Sequence, residues 1–286
     1  MIWLLYAFLT AVFSAFKGVA GKKSLRSLDQ YVVAWFMQII PGVLIVSYFL
    51  FMPLPPLGEK FYPVLIADCF LSAIAAIWST KALISEFSVT VPLTAFSPLF
   101  LFLTSYLMLG EVPSGSGFVG VVLIVIGAYI LNIKERKNGW KEPFLALVKN
   151  SGARLMLGST FIWSITGNLD KIAVQNSSPI FFVMAESFLI ALFIYPFAYK
   201  GIIKQRKEIR KEGNYLAVMG VFALLMLIFQ MLAYQETLVV YVIAIKRLSI
   251  LISIALGGVI FKEKDIRTKL VGGCVMVLGV LFITIF

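Results

Sequence analysis

The sequence predicts an all-α integral membrane protein of ten transmembrane helices, arranged as two inverted five-helix repeats. Three observations predict it. The 286 residues are 60% hydrophobic and only 14% charged, with a mean hydropathy of +0.97, more apolar surface than a water-soluble domain of this length hides. The apolar stretches run about twenty residues without strict alternation, which selects membrane-spanning helices over barrel strands. Glu111, Gly120 and Gly127 recur as Glu263, Gly272 and Gly279 at a constant offset, so the chain carries an internal duplication.

Taken in order, spans are expected at about 2–20, 30–51, 61–83, 88–109 and 114–132, then at about 151–174, 179–199, 214–235, 238–260 and 268–286. The first has no basic residue before it and Lys22, Lys23 and Arg26 after it, which reads as an uncleaved span. Pro53-Leu54-Pro55-Pro56-Leu57-Gly58 separates the second and third, and Ser177-Ser178-Pro179 opens the seventh. The longest polar connections, 133–150 and 200–213, are dense in Lys and Arg. These breaks divide the chain into a first repeat, 1–135, a basic connecting loop, 136–150, and a second repeat, 151–286. Five spans per repeat is an odd number, so the second repeat inserts upside down. Such duplications place a transported solute at the repeat interface near mid-membrane.

Sorting the loops by charge puts 20 of the 25 Lys and Arg residues on one side, with Lys60 and Lys171 opposite and Lys17, Lys246 and Arg247 within spans. The positive-inside rule then places the basic loops in the cytoplasm and both termini outside, in a multi-pass protein of the plasma membrane. Anionic headgroups account for the net charge of +11 better than nucleic acid does. Histidine is absent, which removes His-metal ligation and every Ser-His or Cys-His dyad. No cofactor, metal site or catalytic residue is expected. Cys69 and Cys274 lie in apolar stretches and carry no redox information.

Charges inside spans are the informative residues, because each costs about 2.5–3.5 kcal/mol at the bilayer centre. Asp68, Glu186, Lys246 and Arg247 lie in odd-numbered spans at similar depth. Two readings stand: an internal ion-pair cluster, or a charged binding layer. Lys246-Arg247 is the sharpest feature, since adjacent cations repel unless an anion meets them, and an Arg fork beside a Lys point charge suits carboxylate or phosphate. The duplicated positions are Thr94 and Ala95, so the basic pair is one-sided. Ser249 continues the polar stripe of Lys246, Ser253 and Gly257. Similar stripes run through Thr10, Ser14, Lys17 and Gly21 and through Asp68, Ser72, Ala75 and Ser79. Asp68 and Glu186 are candidates for coupling or for charge balance, and Trp163 is the aromatic side chain most worth placing in a cavity. Glu111 and Glu263, at helix ends, read as structural, and the glycines of the fifth and tenth spans as packing positions within or between monomers.

Two halves whose fourth helices end in Leu109-Gly110-Glu111 and Phe261-Lys262-Glu263, each followed by a glycine-spaced helix, resemble the EamA family of the drug/metabolite transporter superfamily. Trp163-Ser164 through Asn168-Leu169-Asp170-Lys171 is similar to that family's sixth-helix pattern. The resemblance spans the whole chain. It implies a ten-helix bundle whose first four helices per half enclose a cavity, with the fifth and tenth packed to one side. It departs from members that keep both termini in the cytoplasm. Lys246-Arg247 also resembles the phosphate-binding pair of triose-phosphate translocators. The function expected is secondary active transport of a small polar or anionic metabolite, phosphorylated ones included, with proton or counter-solute coupling and homodimerisation as further expectations. The rival is a membrane-embedded enzyme or scaffold acting on lipid-linked substrates. The enzyme needs a nucleophile–base pair or a metal cluster of acids, and the sequence offers no paired Asp-rich motif and no Gly-x-Ser-x-Gly.

Overall fold

A computed structural model describes residues 2–85, 91–133, 150–253 and 266–285. Gly257, Lys262, Glu263, Lys264 and the basic segment 134–149 lie outside the described residues, so the expectations placed on them have no structural counterpart here. The described chain is all-helical. Its spans are α1 (Ile2–Ser24), α2 (Gln30–Phe49), α3 (Phe61–Ser85), α4 (Ser97–Leu109), α5 (Gly115–Ile133), α6 (Ser151–Gln175), α7 (Pro179–Lys204), α8 (Gly213–Glu236), α9 (Val239–Lys246) and α10 (Ile266–Ile285). Five of them (α1, α2, α3, α7 and α8) are long and apolar enough on their own to cross a bilayer, and α4, α5 and α10 carry shorter apolar stretches. α6 has the length but spends it on Ser, Thr, Asn, Asp and Lys side chains. Large apolar groups such as Leu107 and Leu192 face outward, 70% and 64% exposed, a surface suited to lipid.

Local chemistry sets the ends. The Asp29 carboxylate caps α2 by accepting from the Tyr31 N–H at 2.8 Å. Ser178 caps α7 through the Phe181 N–H, with Pro179 in the first turn. Gly110 ends α4 at φ +67°, the left-handed conformation that a Cβ penalises.

Two expected spans are not uniform α-helix. The fourth begins as a 3-10 turn, Val91–Phe96, before α4 starts at Ser97. In the ninth, Arg247 and Leu248 donate to the carbonyls three residues back, Ala244 and Ile245, and helix resumes over 249–253. The tightened segments fall at duplicated positions, Thr94-Ala95 and Lys246-Arg247. Lys171 is also corrected: the charge census put it in an outer loop, but it is a buried residue of α6.

The helices form two compact units, and neither is a sequence repeat. The first unit comprises residues 1–73 and 169–236, the second residues 74–168 and 237–286. In the first, α1 packs on α8 through Phe13, Phe16, Phe222 and Phe229. α2 packs on α7, with Gly42 under the Phe188 ring, Phe49 against Phe181, and the Asp29 N–H donating to Gln205 Oε1 at 2.9 Å. Low numbers on α2 meet high numbers on α7, so the pair is antiparallel. In the second unit α5 packs on α10, with Gly120 against Gly279 and Gly127 against Gly272, again antiparallel. The duplication equates α2 with α7 and α5 with α10. Equivalent helices that meet head to tail are the signature of inverted repeats. The glycines serve contact within the monomer, because a Cβ on Gly120 would stand 2.5 Å from the Gly279 carbonyl oxygen.

Candidate functional site

The first polar centre lies in the first unit. Asp68 is the eighth residue of α3 and Glu186 the eighth of α7, while Asp170 stands five residues before the end of α6. At about 1.5 Å rise per residue, each is about 8–10 Å from its helix terminus. One carboxylate oxygen from each lies within 4.8 Å of the others, and all three residues are buried. The Cys69 thiol donates to the Glu186 carbonyl at 3.8 Å, tying α3 to α7 beside the cluster. Asp68 is fully buried, and both of its carboxylate oxygens are sealed from solvent.

The sequence pointed to Asp68 and Glu186, and the structure brings them together. It did not single out Asp170, which was read only as part of a family pattern, because depth was compared among odd-numbered spans alone. Counting an even-numbered span from its far end puts Asp170 within about a turn of the same depth, since neighbouring spans run in opposite directions. That signal was present in the sequence. The three acids come from three helices, so no local motif announces them as a cluster.

The second centre belongs to the second unit. Arg247 is half-buried, and its Nη2 donates to Ser97 Oγ, a buried hydroxyl at the start of α4. Lys246 and Ser249 flank Arg247 and are half-buried too. Thr94 is half-buried in the 3-10 turn three residues before Ser97. Trp163 is half-buried on α6, its carbonyl accepting from Thr166 Oγ1. Ser97 is the member that sequence reasoning did not place in the site, although the offset of the duplication equates it with Ser249.

Two further polar groups in the second unit have structural roles. Glu111 Oε2 accepts from the Val239 N–H at 3.0 Å, so the glutamate that closes α4 caps α9. Asn168 joins α6 to α4. Its Nδ2 donates to Thr104 Oγ1 at 3.0 Å and to the Ser164 carbonyl at 2.8 Å, while its Oδ1 accepts from Ser105 Oγ at 2.7 Å. A buried amide satisfied in this way fixes two helices in register.

A family model described as the EamA-like transporter family matches residues 1–133 and 150–285. Comparison with curated proteins finds no significant match. Solved structures with a similar fold include one crystal structure at 13% sequence identity with a TM-score of 0.79, the alignment covering 99% of this chain and 96% of that one. At that identity the likeness concerns the fold.

Proposed function

The chain belongs to the EamA-like transporter family, within the drug/metabolite transporter superfamily, and on that premise we propose that this membrane transporter is a secondary active one, moving a small polar or anionic metabolite across the plasma membrane by alternating access. The observation that carries the anionic assignment is the adjacent Lys246 and Arg247 inside a span, with Arg247 held on Ser97. Serine is a neutral acceptor. A carboxylate or phosphate oxygen that replaces it forms a charge-assisted, bidentate bond with the guanidinium. Lys246 adds a movable charge, Ser249 and Thr94 offer hydroxyls, and Trp163 offers a flat apolar wall. The 3-10 segments at Thr94 and at Arg247 supply places where a helix can bend as access alternates. Asp68 and Glu186 serve coupling or charge balance, with a proton or a counter-solute as the partner. Both termini lie outside the cytoplasm in this reading, with homodimerisation as a further expectation.

Counterflow in proteoliposomes tests the reading. Uptake of phosphorylated or carboxylated solutes should saturate and should accelerate against a preloaded solute. Lys246→Gln and Arg247→Gln should each raise the half-saturation concentration by about tenfold or more, the loss of one charge-assisted contact. Linear, non-saturating flux points to a channel, and uptake of cations that ignores both substitutions removes the anion site. Hydrolysis or transfer on a lipid-linked substrate without net flux returns the enzyme reading.

A further inference from the structure

The end of the first unit where α1 and α7 finish carries a basic face that has no part in the solute site. We infer that this face is a docking surface for the headgroups of anionic phospholipids, held by the exposed cations of the short helix Arg206–Lys211 and of the last turns of α7. The inference is independent of which solute is carried and of the direction of its transport.

Three observations carry it. First, the basic segment is anchored. Ile209 packs on the buried cluster of Ala20, Leu28, Val33, Leu216 and Met219. Beside it the Asp29 N–H donates to Gln205 Oε1 at 2.9 Å, and Lys23 Nζ donates to the Tyr215 hydroxyl at 2.5 Å. Second, the charges share one face. With Ile209 turned inward, a helical period of about 100° per residue places Arg206, Arg210, Lys207 and Lys211 on one contiguous outer arc, with Glu208 off it. All four cations are exposed. They form two like-charge i, i+4 pairs, which weaken a helix by themselves and which an anion lying between them reconciles. Residues 200–213 hold six Lys and Arg against two Glu, so local acids do not neutralise the face. Third, the last turns of α7 have the composition of a membrane boundary. Tyr195 and Tyr199 are exposed with their rings 5.7 Å apart, and Trp35 of α2 lies 5.9 Å from Tyr195. Tyr and Trp gather at headgroup depth. Phe197 and Ile203 are also exposed, alternating with Lys200 and Lys204. Cations that adjoin phenols and apolar side chains match a phospholipid, whose phosphodiester charge tops two hydrocarbon chains. A water-soluble anion would engage the charges and leave the apolar band unused.

The test uses the full chain in a neutral detergent, stripped of lipid and titrated with phosphatidylglycerol, phosphatidylcholine or soluble glycerol phosphate. Thermal unfolding is followed by tryptophan fluorescence, and native mass spectrometry counts the lipids retained. Phosphatidylglycerol should bind saturably and raise the midpoint on the order of 5 °C at a hundredfold excess over its Kd. The effect should shrink as salt is raised. Lys207→Gln/Lys211→Gln should weaken that affinity on the order of twentyfold, since each cation near an anionic surface is worth about fivefold. The matched control is Lys81→Gln/Arg154→Gln, which removes two exposed cations from the second unit and should change the affinity by less than about twofold. If Lys207→Gln/Lys211→Gln does not fold, Arg206→Gln/Arg210→Gln takes its place with the same expected loss. Three results overturn the inference: phosphatidylcholine stabilises as well as phosphatidylglycerol, the control loses as much as the test variant, or glycerol phosphate serves as well as the lipid. Stabilisation by a polyglutamate peptide with none by phosphatidylglycerol also overturns it, and assigns the face to an acidic protein segment.

Discussion

Replacing Gly120 by alanine tests the packing that holds α5 to α10. A Cβ there would sit 2.5 Å from the Gly279 carbonyl oxygen, 2.7 Å from Ile283 Cγ1 and 3.0 Å from the Ile283 amide nitrogen. Ordinary contact begins near 3.4 Å, so the nearest pair must open by about 0.9 Å. Two of the three obstructing atoms are backbone, and a backbone retreats only by moving its helix. Overpacking of this kind costs about 1–3 kcal/mol. Alanine's better helix propensity offsets about 1 kcal/mol of it. A net loss of about 1–2 kcal/mol corresponds, for a chain of this size, to a fall in midpoint on the order of 5 °C. The assay is thermal unfolding of the purified chain in nanodiscs. Gly115→Ala is the control, because nothing lies within 4 Å of its Cβ, and it should be neutral or slightly stabilising. Gly120→Ala and Gly279→Ala act on the same crossing, each meeting the other's carbonyl at 2.5 Å, so their costs should combine to less than the sum. If Gly120→Ala unfolds at the wild-type temperature, the close approach of the two backbones is not what holds this pair.

Two other substitutions probe the polar joints of the second unit. Glu111→Ala removes the acceptor for the Val239 N–H and should cost about 1–2 kcal/mol, while Glu111→Gln keeps an acceptor and should cost less; midpoints ranked wild type, Gln, Ala support the cap, and an Ala variant equal to wild type refutes it. Asn168→Ala removes two bonds between α6 and α4, to Ser105 and Thr104, each worth about 0.6 and at most about 1.7 kcal/mol in a membrane bundle. A double-mutant cycle with Ser105→Ala should show a coupling of that size, and a coupling of zero would mean that the side chains touch without stabilising each other.

The sequence and the structure agree where the physics is one-dimensional. A run of about twenty apolar residues spans lipid whatever its neighbours do, so α1, α2, α7 and α8 were legible directly. The duplicated Glu and Gly positions disclosed two repeats, and the odd number of spans in each disclosed their inversion. The antiparallel α2–α7 and α5–α10 pairs express the same relation in space. The 3-10 turn at Val91–Phe96 was not legible, because Val-Pro-Leu-Thr-Ala-Phe is apolar in either helical form. Lys171 misled the charge census because a lysine near a span's end has the same letter whether it reaches headgroups or turns inward.

Composition, span length and repeat spacing determined by themselves that this chain is a bundle of ten helices in two inverted halves, since solvation by lipid depends only on what each segment presents along its own axis. Tertiary structure alone decided that Asp68, Asp170 and Glu186 come together and that Arg247 reaches Ser97. Those facts depend on the rotation of each helix about its axis and on which helix lies beside it. Packing of many small and apolar side chains settles both, and no single residue encodes them.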